Sequence, residues 1–400
     1  METKLILKIF EGFSIERWND FVHPVELVEM DKSAEKMAIA YILGKFEEQN
    51  GHKVNWTWMI YASFFELLKK IALCDIKSPV QRMIRQKYPQ EYRQLNLWIL
   101  EQYRDLISDK ELFAQFESYI KTDYETLDET TKLTAKILRA AHKYSSLREL
   151  ILLKRLNESD SLQRVETSLE KDLSEFLGLK GLQLFFTHQK PFEFIQMIEK
   201  LRYQIRWNQT PRIPKTSVLG HCFFVAILTL IFQRQTGKPF CEKRIFNNFF
   251  CSLFHDLPEA VTRDIISPVK QATRNLPDVV KRIEAEFVAA EILPSVDEYF
   301  KSEILYFTDE EFENRIQIDG KTAKVSFDDL NEKYNSDEFS PLDGQLIRLA
   351  DHTAAFLEAD SSIKYGITSA QLQEGRDNLR KIYKDKKNVS GIETDFFNLF

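Results

Sequence analysis

Four side chains in the second half of the chain combine metal-ligating types with an apolar setting. His221 opens the apolar run 222–232, His255 and Asp256 close the run 246–254, and Asp351 follows the run 346–350. The apolar spacing predicts that each run is a helix. A core this rich in phenylalanine does not hold unpaired carboxylates cheaply, and one bound cation would satisfy all four groups together. Mixed imidazole nitrogen and carboxylate oxygen suit a divalent first-row metal in an open site better than a closed structural zinc site. Plainer readings exist for each residue alone. A histidine on an apolar helix is often a hydrogen-bonded core residue, Asp256 is placed to end a helix, and Asp351 is placed to cap one. The His-Asp dipeptide by itself arises by chance in roughly one such chain in two.

The elements that must position these residues read as helical almost throughout. Only 12 of the 400 residues are glycine, and the 31 phenylalanines fall mostly at helical spacing, which predicts an all-α fold of two or three domains. One exception is 315–325, where Asp319-Gly320 separates two strand-like stretches and predicts a small β-hairpin inserted between helices. Residues 155–180 are charged and weakly apolar and read as a connection between halves.

Those halves look like copies. Arg17-Trp18-Asn19 recurs as Arg206-Trp207-Asn208, a shift of 189 (207 − 18), and the stretch 75–80 recurs as 264–269 at the same shift (264 − 75). Later, 137–142 resembles 346–351 at a shift of 209 (346 − 137), the added length fitting the hairpin. The sequence thus divides into a first copy over 1–155, a connection over 156–180 and a second copy over 181–400.

Net charge is −6, so no stable nucleic-acid binding is expected, although a local pocket can still be basic. The four cysteines, Cys74, Cys222, Cys241 and Cys251, form no CxxC pair. Three lie in apolar runs and read as buried free thiols. No uncharged run reaches transmembrane length and the first residues do not read as a signal peptide. The expectation is a cytoplasmic protein with no membrane association.

The pattern His, then His-Asp, then a distant Asp resembles the HD superfamily of metal-dependent phosphohydrolases. More closely it resembles the HD-domain 5′-deoxynucleotidase group, on Arg206-Trp207, His221, the run Phe254-His255-Asp256-Leu257-Pro258-Glu259, Arg263-Asp264, Ser267-Pro268-Val269-Lys270 and Arg348-Leu349-Ala350-Asp351. Where that group commonly has Ser-Glu before the first histidine, this chain has Leu219-Gly220. The resemblance implies an HD-domain helical fold in tandem duplication. It also implies one divalent ion (Mn, Co, Mg, Ni, Fe or Zn) held by His221, His255, Asp256 and Asp351, with Glu259 as the group that orients or deprotonates water, or protonates the leaving oxygen. Arg206 and Lys270 become candidate phosphate clamps, Trp207 a candidate wall for sugar or base, and Asp264 a candidate partner of a sugar hydroxyl.

At the matching positions of the first copy the ligands are lost. His255-Asp256 corresponds to Glu66-Leu67, Glu259 to Lys70 and Asp351 to His142, while His221 falls near Lys36. The first copy therefore reads as degenerate and catalytically silent, and the two copies are expected to pack as an internal pseudo-dimer, with further homo-oligomerisation open. The leading functional expectation is a phosphomonoesterase for (deoxy)nucleoside 5′-monophosphates. A deoxynucleoside triphosphate triphosphohydrolase, a nucleotide phosphodiesterase and a nucleotide-sensing regulator are the alternatives.

Overall fold

The computed structural model describes residues 2–74, 76–157, 160–263, 265, 273–384 and 386–400. Helices dominate. In the first half they are Thr3–Phe10, Glu29–Gln49, Trp56–Leu73, Ser78–Lys87, Pro89–Tyr103, Lys110–Lys121 and Glu129–Lys154. The connection is itself helical over Asp160–Ser174, which buries Leu162, Leu169 and Leu173 and leaves its charges outward. The main helices of the second half are Lys190–Lys200, Val218–Gln235, Glu242–Phe254, Leu276–Phe287, Gly344–Lys364 and Ala370–Lys384.

The expected hairpin is present. Strand Asn314–Ile318 pairs antiparallel with Lys321–Lys324, with Arg315 opposite Lys324 and Ile318 opposite Lys321. Asp319 and Gly320 both take positive φ at the turn, as a two-residue hairpin of this hand requires. A third short strand, Leu342–Asp343, pairs on the other edge of the first and leads into the helix that carries Asp351.

Several local features recur at the offset of 189 read from the sequence. An isolated bridge joins Glu16 to Val28 and another joins Ile205 to Ser217, each 189 apart from its counterpart. Trp18 and Trp207 share a positive φ near 57° and 56°. Helices begin at Glu29 and at Val218. These two long helices lie against each other in the middle of a continuous apolar core. Phe224 packs on Phe10 and Phe13, at ring-centroid distances of 5.6 and 5.8 Å. Arg202 and Glu35 form a fully buried ion pair at 3.0 Å. These two contacts are related: Phe13 and Phe224 each shift by 189 onto Arg202 and Glu35. Lys215 and Glu26, themselves 189 apart, also meet, at 3.2 Å.

Two details refine the reading of the sequence. The helix Val218–Gln235 is long and apolar enough to cross a membrane, but 89% of it is buried inside the fold, so it serves as a core helix. Cys222 and Cys251 are buried and Cys241 partly so, whereas Cys74 is exposed where its helix ends.

A fragment beginning at Gly178 would leave Phe224 without Phe10 and Phe13, and Arg202 without Glu35. It is expected to aggregate or self-associate in size-exclusion chromatography with light scattering. A monodisperse monomer with wild-type metal content would count against that dependence.

Candidate metal centre and its cavity

Ser217 caps the His221 helix by accepting a hydrogen bond from the Gly220 amide at 2.9 Å, the usual way a serine satisfies a free amide at a helix start. The same hydroxyl donates to Asp31 of the first half at 2.6 Å. Gly220 has a steric reason: a Cβ there would lie 2.4 Å from Asp31 Oδ1 and 2.9 Å from Phe13. Packing against the first half, rather than substrate contact, thus accounts for a glycine before the first histidine.

Three chain segments bring the four expected ligands together. His221 Nε2 lies 3.0 Å from Asp351 Oδ1 and 4.0 Å from Asp256 Oδ2. His255 Nε2 lies 3.3 Å from Asp256 Oδ2. Ligands about 2.1 Å from a shared ion stand roughly 3.0–3.5 Å from one another; the His221–Asp351 and His255–Asp256 separations fall in that range and the His221–Asp256 separation is longer, so the groups close enough to share an ion are His221, His255 and Asp351, and His255 and Asp256 with Cys222. Of the other ring nitrogens, that of His255 is fixed by a hydrogen bond and that of His221 faces a carboxylate without meeting hydrogen-bond geometry. His255 Nδ1 is 2.7 Å from the Ser252 carbonyl, which as a pure acceptor requires the proton on Nδ1 and leaves Nε2 as a lone-pair donor. That Nε2 is buried and has no hydrogen-bond partner. His221 Nδ1 lies 3.3 Å from Glu358 Oε1, the carboxylate–imidazole support common behind metal ligands. The residues present therefore fit a divalent ion.

Electrostatics favour the same arrangement. Burial alone would raise the Asp351 carboxyl, but its hydrogen bond to His221 and the nearby imidazole charges hold it well below the usual carboxylate range. Burial and the Arg206 charge pull the His221 imidazole down, and Asp351 and Glu358 more than offset them, so its pKa is raised. A proton and a metal ion thus compete for one nitrogen. Cys222 Sγ is also close to His255 and Asp256. Burial, with Asp256 and Glu259 nearby, drives its thiol pKa well up, in keeping with a packed, protonated thiol.

Glu358 is the residue the sequence analysis did not single out. It is fully buried and gathers Trp207 Nε1 at 2.8 Å, Thr216 Oγ1 at 2.9 Å and Arg206 Nε at 3.2 Å. Burial would raise its carboxyl, but Arg206, His221 and Arg212 hold it well below its ordinary value. Its signal in the sequence was Glu149, 209 residues earlier, beside the same Arg-Trp pair. In the first half Glu149 likewise takes Trp18 Nε1 at 2.9 Å and Arg17 Nη2 at 3.0 Å.

The other expected site residues fare differently. Glu259 follows the ligand pair through tight turns, is nearly buried and lines the cavity beside Asp256. Arg206 also lines it, but its guanidinium is shared between Glu358 and Asp256, with Nη1 3.6 Å from Asp256 Oδ2. Trp207 forms part of the wall, its ring seated where Gly375 leaves room. Asp264 and Lys270 lie outside the described residues. The cavity has a volume of about 1830 Å³, and Lys281, Arg282, Arg348, His352 and Lys381 also reach it.

Residues 198–380 match the family model of the HD domain. The match supports placing this segment in the HD-domain superfamily. A search of curated proteins finds no match to the chain. The family match supports metal-dependent phosphohydrolase chemistry in general, and among the described residues His221, His255 and Asp351 form one group that could hold a divalent ion, with His255, Asp256 and Cys222 forming another.

The corresponding place in the first half holds lysines. The constant offset of 189 puts Lys32 opposite His221, one helical turn before Lys36. Its Nζ donates to the His142 carbonyl at 3.0 Å and Ser146 Oγ at 2.9 Å, and lies 4.0 Å from Glu149. Lys36 pairs with Glu66 at 2.7 Å. Burial and the charges of Lys32, Lys70 and Lys36 push the His142 imidazole well down. An ammonium group thus stands among the residues that replace the ligands.

Elemental analysis after metal loading is expected to give one divalent ion per chain, lost in the Asp256→Ala/Asp351→Ala double variant. Two tightly held ions would contradict the assignment of the first half. The first half also predicts an acid response. Burial would raise the Glu149 carboxyl, but Arg17, Lys32 and Arg202 hold it at about 2, down from 4.5. Its contribution to stability is complete above pH 4.5 and is lost as pH falls towards 2. Chemical denaturation should find Glu149→Gln less stable at neutral pH and flatter in this acid window; an unchanged acid slope would remove Glu149 as its source.

Proposed function

We propose that the chain is a phosphomonoesterase acting on nucleoside 5′-monophosphates, with deoxynucleosides preferred, at the HD-domain metal centre. The observation that supports this reading is the gathering of His221, His255, Asp256 and Asp351 at a cavity that has Glu259 beside the ligands and Trp207 in its wall. The volume exceeds the roughly 300–1,000 Å³ typical of small-molecule pockets, so an entire nucleotide fits. When bound, the divalent ion supplies a positive centre that polarises a phosphoryl oxygen and makes water more acidic. His221 and His255 keep their Nε2 atoms aimed at that centre because Glu358 and the Ser252 carbonyl hold the opposite nitrogens. Glu259 takes the proton from the attacking water and returns it to the departing sugar oxygen. Trp207 excludes water and packs on the sugar or base, its indole N–H fixed by Glu358.

A triphosphohydrolase is the second reading. The convergence of Arg206, Lys281, Arg282, Arg348 and Lys381 on one cavity favours it, because a triphosphate carries more charge to neutralise. The intact Glu259 argues for turnover over pure nucleotide sensing.

The first half, in this reading, is a degenerate copy that takes the place of a second subunit. What supports it is the self-complementary contact set: residue 13 meets 224, while 202 meets 35, the pattern of a two-fold interface. The four free cysteines accord with a reducing, cytoplasmic setting.

A metal-supplemented screen against nucleoside mono-, di- and triphosphates decides among the activities. Orthophosphate release from monophosphates is the expected result; tripolyphosphate release from a triphosphate would establish the second reading instead. Glu259→Gln should retain metal while losing about 10²–10⁴-fold in turnover. Near-normal turnover by that variant would exclude Glu259 from proton transfer.

A further inference from the structure

We infer that Arg348, rather than Arg206, is the arginine that receives the phosphoryl group of the substrate. This deepens the phosphohydrolase reading and rests on it. The two guanidinium groups differ in the partners they already hold. Arg206 sits between two carboxylates, Glu358 at 3.2 Å and Asp256 at 3.6 Å, and its side chain is only 14% exposed. Bringing a phosphoryl group onto it would require it to give up partners that hold the buried Glu358 and the ligand Asp256. Arg206 is thereby a positioning residue.

Arg348 is in the opposite condition. It lies three residues before Asp351 on the helix Gly344–Lys364, so both side chains project from neighbouring positions of one face. It reaches the same cavity as His255, Asp256 and Asp351. It is exposed, and among the described residues it enters no ion pair. Its guanidinium rests over the Phe312 ring at 5.0 Å, and that ring stands 6.0 Å from the His255 imidazole. A cation–π contact of this kind uses none of the N–H donors, and those donors match two phosphoryl oxygens at once. A cation that shares the cavity of the metal ligands, lies beside an aromatic ring and forms no ion pair among the described residues, although Glu284, Glu310, Glu311 and Glu313 line the adjoining pocket, has the chemistry of a phosphate receptor. The helix explains the placement: one turn supplies the metal ligand, and the turn before it supplies the anion-binding group.

Orthophosphate binding to the metal-loaded full chain tests this, read by isothermal titration calorimetry with metal content measured on each sample. Arg348→Gln is expected to retain one ion per chain and the wild-type melting temperature, and to weaken orthophosphate binding at least tenfold. Arg348→Lys should recover part of the loss, since an ammonium restores the charge but not the two-point fork. Arg206→Gln should instead lower thermal stability or metal content. The inference is overturned if Arg348→Gln binds orthophosphate within twofold of wild type, if the wild type shows no orthophosphate binding, or if Arg206→Gln abolishes binding with metal and stability intact. Because the measurement reads orthophosphate and not turnover, a wild-type protein that binds it but hydrolyses no nucleoside monophosphate would count against the proposed substrate and still support Arg348.

Discussion

A carboxylate with no access to water must be given positive or hydrogen-bonding partners from every side, and Glu358 is where the second half meets that demand. Arg206, Trp207, Thr216 and the back of His221 all converge on it. Those contacts fix the loop between Ile205 and Ser217 to the helix of Asp351, and they set the ring orientation of the first metal ligand. Removing the charge would free the arginine, the tryptophan and the imidazole together. The metal centre is thus supported by a buried ion cluster that does not itself reach the substrate.

The first half answers the same demand differently. Glu149 occupies the equivalent place and keeps Arg17 and Trp18, so the supporting cluster survives where the ligands do not. The extra positive charge there is covalent: Lys32 stands opposite His221 with its ammonium among His142, Ser146 and Glu149. Burial pulls that ammonium's pKa down to about 7, and Glu149 only partly opposes the shift. A lysine needs no free ion from solution. The long helix of the first half backs the His221 helix, and Asp31, Glu35, Phe10 and Phe13 all touch the second half.

Much of this was legible in the sequence because the carriers are local. Apolar periodicity marks the helices, Asp319-Gly320 marks the hairpin turn, and His255-Asp256 is contiguous. The repeat offset of 189 is a property of the string itself, and it reappears in the bridges Glu16–Val28 and Ile205–Ser217. The type and order of His221, His255, Asp256 and Asp351 were enough to nominate a cage, since ligand chemistry depends on residue type.

Tertiary structure decided what depends on convergence. Glu358 gave no local signal, because a glutamate in a helix is ordinary until three side chains from a distant loop point at it. Arg206 looked like a free phosphate clamp because a sequence does not reveal which carboxylates will neutralise it; folding brought it Glu358 and Asp256. The opposite held for Arg348, whose aromatic neighbour Phe312 lies 36 residues away (348 − 312) and which forms no ion pair among the described residues. Gly220 looked like a departure at a substrate position, and proximity to Asp31 and Phe13 made it a packing requirement. Residue type therefore determined the chemistry available to the chain, while long-range electrostatic and steric pairing determined which of those groups remain free to use it.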